Sequence, residues 1–538
     1  MALGRWDGQA RFDDAGMLLG EQLRLGSVYR LLAEQGGALF GDDYFADVFT
    51  VSRLGRPTVA ARTVATVMLL QAYEGLSDGE AVDRLAFDLR WKAAAGLPVG
   101  SGSFHPTVLV GMRNRLRRSG RPRRLFEDVT VVARQAGLLT GRRRVVDSTP
   151  LYDAVATQDT VTQLRAAIRK LLMAADRDAP GLAAMVRAGL ARDDDYATVG
   201  KPPCDWDDKA AREALVDALV RDAQAALAAV EAQQVTGPVA VEAQQVTGPV
   251  ADAVQVLALV AGQDVEQGPD QVFRIARTVA RDRVISTVDP QARHGHKSRA
   301  RTFDGYKAHL GVDPDDELIT NVAVTPANTP DRDVLDELLD EPGGAAHGEA
   351  VETRQIFGDS AYADGATVDR LTTAGHDLHT KVPPIRNARG FSKDRFVIDP
   401  AAGTVTCPAT HTVAIRPHRH GGQARFGELC TGCPLRAACT TSRTGRVIAI
   451  HPHEATLQHA KAAQRDPHRH QAYRQTRPLV ERKISHFTRR AWGGRKARCR
   501  GTARILTDAL HRAAATNLAR LATLGLHNTP TGWVLQTT

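Results

Sequence analysis

Apolar side chains recur at helical spacing through the first quarter of the chain. A broad apolar stripe covers 58–73, and Gly75 follows it where a helix would end. The Ser and Glu at the two ends of 77–80 have the spacing of a capping box, which opens a second helix. A third helix begins near Pro106 and ends in a turn rich in arginine. The pattern predicts an all-α N-terminal domain over residues 1–135.

The pattern becomes a mixture of strand and helix after that domain. A β-branched run at 143–147 predicts a strand, and the Ala-rich chain beyond it predicts a long helical insertion. The segments 303–313 and 318–327 alternate as the two strands of a hairpin. The remaining expected elements are helices at 160–175, 207–230, 253–265 and 331–339 and a strand at 354–357. The order strand, strand, strand, helix, strand predicts an α/β multidomain chain around a mixed sheet.

One segment of the predicted insertion is duplicated. The sequence VEAQQVTGPVA occupies 230–240 and occurs again at 241–251. Each copy contains a Gly-Pro pair, which does not continue a helix. Two copies are too few for a solenoid. We interpret the duplication as a surface spacer with no part in the chemistry.

Arginine clusters give the chain a formal net charge of +9. They lie at 113–124, 142–144, 293–301 and 465–504. Such clusters are typical of phosphate-binding surfaces, although any one of them could be a solvated basic face. The Arg-rich third helix therefore predicts contacts with double-stranded DNA from Arg113, Arg115, Arg117 and Arg118. The same helices could instead form a dimerisation module.

The sequence gives no sign of a membrane or secreted protein. No apolar run reaches the roughly twenty residues needed to span a bilayer. The N-terminus is charged and lacks the apolar core of a signal peptide. We therefore expect a cytoplasmic chain.

Four of the six cysteines are grouped as metal ligands would be. Cys407, Cys430, Cys433 and Cys439 include a C-x2-C pair, the spacing of a four-thiolate zinc site. This spacing predicts a small zinc-binding insertion over 396–450 that holds a structural Zn²⁺. The alternative is four reduced thiols without a metal.

Three acidic residues have distinctive local sequences. Asp147 ends the run RRRVVD, and Asp359 follows the apolar segment IFG. Glu481 is one of only two acids in 465–504, a segment that holds thirteen Lys or Arg residues. A helix starting at Pro478 would set Glu481 in its first turn, where a carboxylate suits the helix dipole.

These carboxylates could serve one metal centre. Phosphodiester chemistry uses two divalent ions about 4 Å apart, and Mg²⁺ or Mn²⁺ prefers carboxylate and water oxygens. Asp147, Asp359 and Glu481 are therefore the candidate catalytic residues and metal ligands. The candidate phosphate contacts around Glu481 are Arg474, Arg477, Lys483, Arg489 and Arg490. Asp147 could instead form only an Asx turn, Asp364 could replace Asp359 as the ligand, and a Glu early in a helix is common.

With these motifs the chain resembles the bacterial insertion-sequence transposases of the DDE class that have an InsH-type N-terminal domain. GRPTVAARTVATVMLLQAYEGLSDGEAVDRL and SFHPTVLVGMRNRL are similar to that domain, VVDSTP and GDSAYADG to the two Asp motifs, and RPLVERKISHF to the Glu-bearing block. Relatives often have a Tyr and an Arg before the Glu and a Lys seven residues after it. Here Arg477 fits, Tyr473 is one residue too distant, and Thr488 stands in place of the Lys.

The resemblance implies a ribonuclease-H-like core, with Asp147 on its first strand and Asp359 after its fourth. It implies DNA cleavage at terminal inverted repeats with two Mg²⁺ or Mn²⁺ ions, then transfer of the 3′-hydroxyl into target DNA. A homodimer or larger assembly, associated with the bacterial nucleoid, would carry this out. The expected domains are 1–135 (helical), 136–160 (first strand), 161–280 (insertion), 281–395 (core with Asp359), 396–450 (cysteines) and 451–538 (helices with Glu481).

Two other functions also fit the sequence. A decayed element could leave a DNA-binding protein without catalysis, which the duplication and the missing Lys would favour. A ribonuclease-H-like nuclease could cut DNA without strand transfer. The complete set of three acids and four cysteines favours the active transposase.

Overall fold

The computed structural model describes residues 3–4, 12–49, 58–153, 155–235, 248–298, 300–342, 353–383, 387, 390–489 and 494–536. The predicted phosphate contact Arg490 and most of the duplicated segment, 236–247, lie outside the described residues. No helix within these ranges is both long and apolar enough to cross a bilayer.

Helices form the N-terminal layer, as the sequence predicts. Gly75 ends the third helix in the left-handed conformation with φ 75°, and Ser77 and Glu80 form the predicted capping box at the start of the fourth. The helices are α1 (Ala15–Leu19), α2 (Val28–Leu39), α3 (Ala61–Glu74), α4 (Asp78–Phe87), α5 (Leu89–Ala94), α6 (Thr107–Arg118) and α7 (Arg124–Gln135).

The first strand leads into the predicted helical insertion, which has a hydrophobic core of its own. Leu164, Leu171, Leu219 and Leu257 are buried together in that core. The elements are β1 (Arg143–Tyr152), α8 (Thr160–Asp178), α9 (Pro180–Gly189), α10 (Lys209–Val235), α11 (Pro249–Gly262), β2 (Val265–Gln267) and β3 (Phe273–Ile275). The insertion therefore packs around a core of its own, and along the chain it lies between β1 and the later strands of the sheet.

A mixed sheet forms the centre of the structure. Its further elements are β4 (Arg293–Ser298), β5 (Arg301–Asp313), β6 (Leu318–Pro326), α12 (Leu335–Leu339), β7 (Gln355–Phe357), α13 (Gly365–Thr373) and β8 (Asp377–His379). The strands follow the order β6-β5-β1-β7-β8, and β4 also pairs with β5. β5 is antiparallel to β1 and β6, whereas β7 is parallel to β1 and β8. The predicted hairpin and the predicted strand after a short helix are both confirmed.

The first strand is longer than the sequence suggests, and the prediction that it ends at Asp147 is wrong. β5 pairs with β1 as far as Tyr152, so Asp147 lies in the middle of a strand. β7 pairs only with Arg143, Arg144 and Val145. The second edge of β1 therefore has no partner among the described strands from Asp147 to Leu151, and at Tyr152 it bonds to the backbone of Arg495 and Ala497.

Residues 393–450 form a small antiparallel sheet with a separate core. Phe396, Val405, Phe426 and Ile448 are buried together in it. Its elements are β9 (Val397–Asp399), β10 (Thr404–Thr406), β11 (Thr412–His418), β12 (Gly421–Arg425), α14 (Arg436–Cys439) and β13 (Val447–Ile450).

The C-terminal region is helical and ends in a short hairpin. Its elements are α15 (Glu454–Ala463), α16 (Pro467–Phe487), α17 (Thr502–Thr523), β14 (Leu526–Thr529) and β15 (Gly532–Leu535). The prediction that Glu481 lies in the first turn of a helix starting at Pro478 is wrong, because α16 begins at Pro467 and contains Pro478. Glu481 therefore lies in the C-terminal half of α16, and the helix dipole does not favour its charge there.

α17 joins the N-terminal layer to the sheet. It packs against α3 and α7 on one side and β6 on the other. Val67 of α3, Leu310 of β5 and Leu518 of α17 belong to one continuous core. The N-terminal helices and the sheet thus share their buried surface, which fixes one relative to the other.

A buried ionic network also connects these layers. The Glu341 carboxylate is bound by Arg144 of β1, and Arg134 of α7 donates to its Oε2 at 2.7 Å. Arg354, just before β7, lies 3.5 Å from its Oε1. Arg144 also donates to Asp313 of β5 at 2.8 Å. Burial alone would raise the pKa of Glu341, but Arg144, Arg354 and Arg134 hold that pKa below its ordinary value.

We expect Glu341→Gln to lower the free energy of unfolding by about 3–5 kcal/mol, because it leaves the guanidinium of Arg144 buried with too little negative charge. The midpoint of urea unfolding measures this loss. The matched control is Glu337→Gln, which removes an exposed partner 3.5 Å from Arg123 and should cost less than about 1 kcal/mol. Equal shifts in the two variants would contradict a special role for the network.

We expect the fold to lose stability below pH 6.5 through His309 and His511. Burial lowers the pKa of each to about 4. The unfolded chain binds protons on these histidines between pH 6.5 and 4 while the folded chain does not, so stability falls as the pH falls through that window. From pH 7 to pH 5 each histidine should cost about 2 kcal/mol. His511→Gln should flatten the dependence of the unfolding midpoint on pH, whereas the exposed His468→Gln should leave it unchanged.

Candidate functional site

A cavity of about 650 Å³ lies beside the open edge of β1. Asp147, Asp359 and Glu481 all line it, although they are far apart in the chain. The other polar and charged side chains of its wall are Ser148, Thr149, His296, Lys297, Lys307, Asp331, Arg332, Arg477 and Arg495. The structure thus brings the three predicted acids to the wall of one cavity.

Both carboxylate oxygens of Asp147 accept hydrogen bonds. The backbone N–H of Ser148 donates to Oδ1 at 2.9 Å. Arg477 of α16 donates to Oδ2 at 2.9 Å, and its other terminal nitrogen donates to the Val146 carbonyl at 2.9 Å. Arg477 therefore fixes α16 to β1 at the catalytic candidate itself.

The electrostatic surroundings of Asp147 work against one another. Burial raises the pKa of its carboxyl group, and the nearby Asp359 raises it further. The charge of Arg477 opposes both effects, but the net shift is upward. A second positive charge, such as a cation in the cavity, would favour the ionised form.

Asp359 reaches the cavity from the turn that follows β7. Its Oδ1 accepts a hydrogen bond from Ala361 N at 2.8 Å and so caps the 3-10 turn Ser360–Tyr362. Asp364, the alternative ligand, caps α13 through Thr367 N and does not line the cavity. The placement favours Asp359 over Asp364.

Glu481 lies on the exposed side of α16. The adjoining face buries Val480, Ile484 and Phe487 in the shared core, and the helix packs against β1. This packing, and not a helix end, directs Glu481 towards the cavity.

Three further charged residues of the wall, Lys307, Asp331 and Arg332, were missed by the sequence analysis. Lys307 of β5 donates to Asp331 Oδ1 at 2.7 Å, and Ser148 Oγ donates to Asp331 Oδ2 at 2.6 Å. The available signal was a lysine in the mostly apolar run of β5 from Gly305 to Asp313. The pattern of this run predicts only a strand. It does not reveal the ion pair, because Asp331, the partner of Lys307, lies on another segment.

The acids have the right chemistry for Mg²⁺ or Mn²⁺ but do not form a closed metal site. Carboxylate oxygens are the ligands that these ions prefer. Among the described residues, however, no three His, Cys, Asp or Glu side chains are placed closely enough to hold a metal ion. Arg477 occupies one oxygen of Asp147 in this arrangement. The donor set therefore fits such ions, whereas the spacing of the side chains is not that of a formed site.

The predicted phosphate contacts around Glu481 are placed differently from one another. Arg474 and Arg489 are exposed. Lys483 is only 3% exposed and lies 3.3 Å from Glu317. Burial lowers the pKa of Lys483. This position favours a structural ion pair over a phosphate contact at Lys483.

The arginines of α6 are mostly engaged within the N-terminal layer. Arg113 donates to Gln71 at 3.2 Å and forms an ion pair with Asp78. Arg115 stacks over the Phe49 ring at 4.9 Å. Arg118 is exposed. Of these, Arg118 has the most accessible guanidinium for DNA.

The predicted zinc-binding insertion is not supported. Cys407, Cys430, Cys433 and Cys439 surround one small void of about 20 Å³, but all are free thiols and form no metal-holding group. Burial raises the pKa of the Cys439 thiol. Cys430 and Cys439 are buried in the small apolar core with the rings of Phe396 and Phe426, and Cys407 packs against it; buried thiols act there as hydrophobic groups.

Two family models match the chain. Residues 34–115 match the model described as Transposase domain (DUF772), and residues 271–518 match the model described as Transposase DDE domain. The second range contains Asp359 and Glu481, whereas Asp147 lies between the two ranges, ahead of the helical insertion. Comparison with curated proteins and with solved structures gives no match.

We expect Arg477→Gln to raise the pKa of Asp147 further, because burial and Asp359 then act without the opposing guanidinium. A raised carboxyl pKa costs stability at pH 7 and returns it on acidification, since the folded state then binds the extra proton. Compared with the unmodified protein at the same pH, the metal-free variant should be less stable by about 2 kcal/mol at pH 7, and this difference should be smaller at pH 5. Urea unfolding at the two pH values measures this.

Arg477→Lys, which keeps the charge, is the control and should recover less on acidification. Adding Asp147→Asn to Arg477→Gln should remove the recovery. If the double variant recovers as fully as Arg477→Gln alone, a different group is responsible for it.

Proposed function

The chain belongs to the DDE transposases, and on that basis we propose that it cuts DNA at the ends of a mobile element and joins the freed 3′-hydroxyl to target DNA. The observation that carries the proposal is the meeting of Asp147, Asp359 and Glu481 at one cavity. They come from a central strand, a turn and a helix, so their meeting depends on the whole fold. A basic surface around that cavity suits a polyanionic substrate.

Asp147, Asp359 and Glu481 would hold two Mg²⁺ or Mn²⁺ ions, which when bound activate the attacking oxygen and stabilise the leaving oxygen. In the protein alone, Arg477 balances the charge of Asp147. A DNA phosphate is a competing partner for its guanidinium, which binds phosphate in a bidentate manner. Release of Arg477 to the substrate would free the Oδ2 atom of Asp147 as DNA arrives.

Cations on two walls of the cavity would hold the DNA backbone. Two of these cations line the cavity, Lys297 from β4 and Arg495 from the segment before α17. The exposed Arg474 and Arg489 extend the basic surface along α16 and its C-terminal end. Phosphate contacts of this kind position a duplex without reading its sequence. We assign sequence reading to the N-terminal helices, with Arg118 as the accessible contact.

The proposal includes a ribonuclease-H-like core. The strand order β6-β5-β1-β7-β8, with three antiparallel strands followed by two parallel ones, supports it. Because both ends of an element must be held together before strand transfer, we also propose that the protein acts as a dimer or larger assembly on DNA.

We expect Asp147→Asn, Asp359→Asn and Glu481→Gln each to lower the rate of DNA cleavage on the order of 10³-fold, because each removes one carboxylate from a unit that acts together. The substrate is a duplex that carries the inverted repeats flanking the coding region, in the presence of Mg²⁺. DNA affinity, measured without a divalent ion, should be retained in all three variants.

The matched control is Asp364→Asn, since an Asn also caps a helix and Asp364 lies outside the cavity wall. Its cleavage rate should equal that of the unmodified protein. A triad variant that cleaves at full rate would remove that residue from the site. Incubating pre-cut ends with a target plasmid then distinguishes a transposase, which joins the ends, from a nuclease, which does not.

A further inference from the structure

Lys307 is an anchored cation inside the candidate active-site cavity. It lies on β5, opposite Pro150 of β1 and Thr325 of β6. Between Gly305 and Asp313 all residues of the strand are buried except Lys307, which is partly exposed. Its side chain is 15% exposed and lines the cavity that also contains the three acids.

Fixed acceptors hold the ammonium group of Lys307. It donates to Asp331 Oδ1 at 2.7 Å and to the Thr329 carbonyl at 2.8 Å. Asp331 is itself 9% exposed, and its other oxygen accepts from Ser148 Oγ at 2.6 Å. Ser148 follows Asp147 directly and donates its backbone N–H to that carboxylate. The lysine is thus coupled through two residues to the first catalytic acid.

This arrangement leaves one donor for a ligand. An ammonium group carries three N–H donors, and the described residues accept two of them. Because Asp331 and Thr329 already restrict the side chain, binding a ligand requires little further ordering. The pairing also explains why Asp331, a fourth acid in the wall, need not compete for a metal ion, since its charge is balanced by Lys307.

The other lysines near the cavity are less suited to the same role. Lys483 is buried against Glu317. Position 488, where relatives often have a lysine, is an uncharged threonine in this chain. Lys297 lines the cavity but is exposed. Lys307 is therefore the one cavity-lining lysine, among the described residues, with a fixed position.

We propose that Lys307 is a catalytic residue whose third N–H donates to a non-bridging oxygen of the phosphate at which the DNA is cut, and that Asp331 is its positioning residue. The proposal rests on the transposase function proposed above. Phosphoryl transfer develops charge on the equatorial oxygens of the transferred group. A cation already fixed beside those oxygens stabilises the transition state without reorganisation.

The test compares Lys307→Met with Lys297→Met on an element-end duplex in Mg²⁺. Lys307→Met should lower the single-turnover cleavage rate on the order of 10²–10³-fold and leave DNA affinity nearly unchanged. Lys297→Met should instead weaken DNA binding and reduce its salt dependence by about one counterion. If both variants change only affinity, Lys307 is an ordinary backbone contact and the proposal is overturned.

Because Lys307→Met leaves the carboxylate of Asp331 buried without its cation, the double variant Lys307→Met/Asp331→Asn guards against a folding defect. It should unfold at a temperature close to that of the unmodified protein and still cleave slowly. Full activity in this double variant would overturn the proposal.

A sulfur substitution in the substrate tests the contact directly. One phosphorothioate isomer at the cleaved position should slow the unmodified protein but slow Lys307→Met little further, because the oxygen in question no longer has its donor. An undiminished sulfur effect in Lys307→Met would place the lysine elsewhere. If the unmodified protein cleaves no DNA at all, the proposed function itself fails, which is distinguishable from failure of the lysine contact alone.

Discussion

The buried carboxylate of Glu341 and the arginines around it hold the candidate site in place. Arg144 lies three residues before Asp147 on the same strand, and its guanidinium donates hydrogen bonds to Glu341 and Asp313. Arg134 brings α7 to the same carboxylate, so Glu341 connects the helical layer to β1. Arg144 in turn connects β1 to the β5–β6 hairpin through Asp313. Charges this deeply buried are costly unless each has a partner. The network therefore favours a single arrangement of these elements. It fixes the position of β1, and with it the position of Asp147.

The cavity itself is held by paired charges of a different kind. Arg477 and Lys307 each bind an acid of the wall, Asp147 and Asp331, and the two acids are joined through Ser148. These pairs are partly open to the cavity, so a phosphate could compete for their cations. A stable interior network thus lies next to pairs that can exchange partners, as binding a polyanion requires.

Much of the fold follows from local patterns. The capping box of Ser77 and Glu80, the left-handed Gly75 and the β5–β6 hairpin all depend on neighbouring residues, and the sequence predicts them. The two wrong boundaries, at Asp147 and Pro478, have the opposite origin. β1 continues past Asp147 because β5 pairs with it across the sheet. α16 extends from Pro478 back to Pro467, and Arg477 in this additional part bonds to Val146 and Asp147 of β1, a contact between remote segments.

The candidate site divides in the same way. Short motifs with distinctive flanks identified Asp147, Asp359 and Glu481, because residue type and local context are written in the sequence. Lys307 and Asp331 have no such local motif. Their place in the site depends on a 2.7 Å ion pair between two separate segments. The four cysteines have the spacing of a zinc site and line one small void, but among the described residues they do not form a group that could hold a metal ion. Residue types and their local motifs thus indicate which groups could do chemistry. Which of these groups meet depends on the packing of the whole core, because the contacts join segments that are remote in the chain.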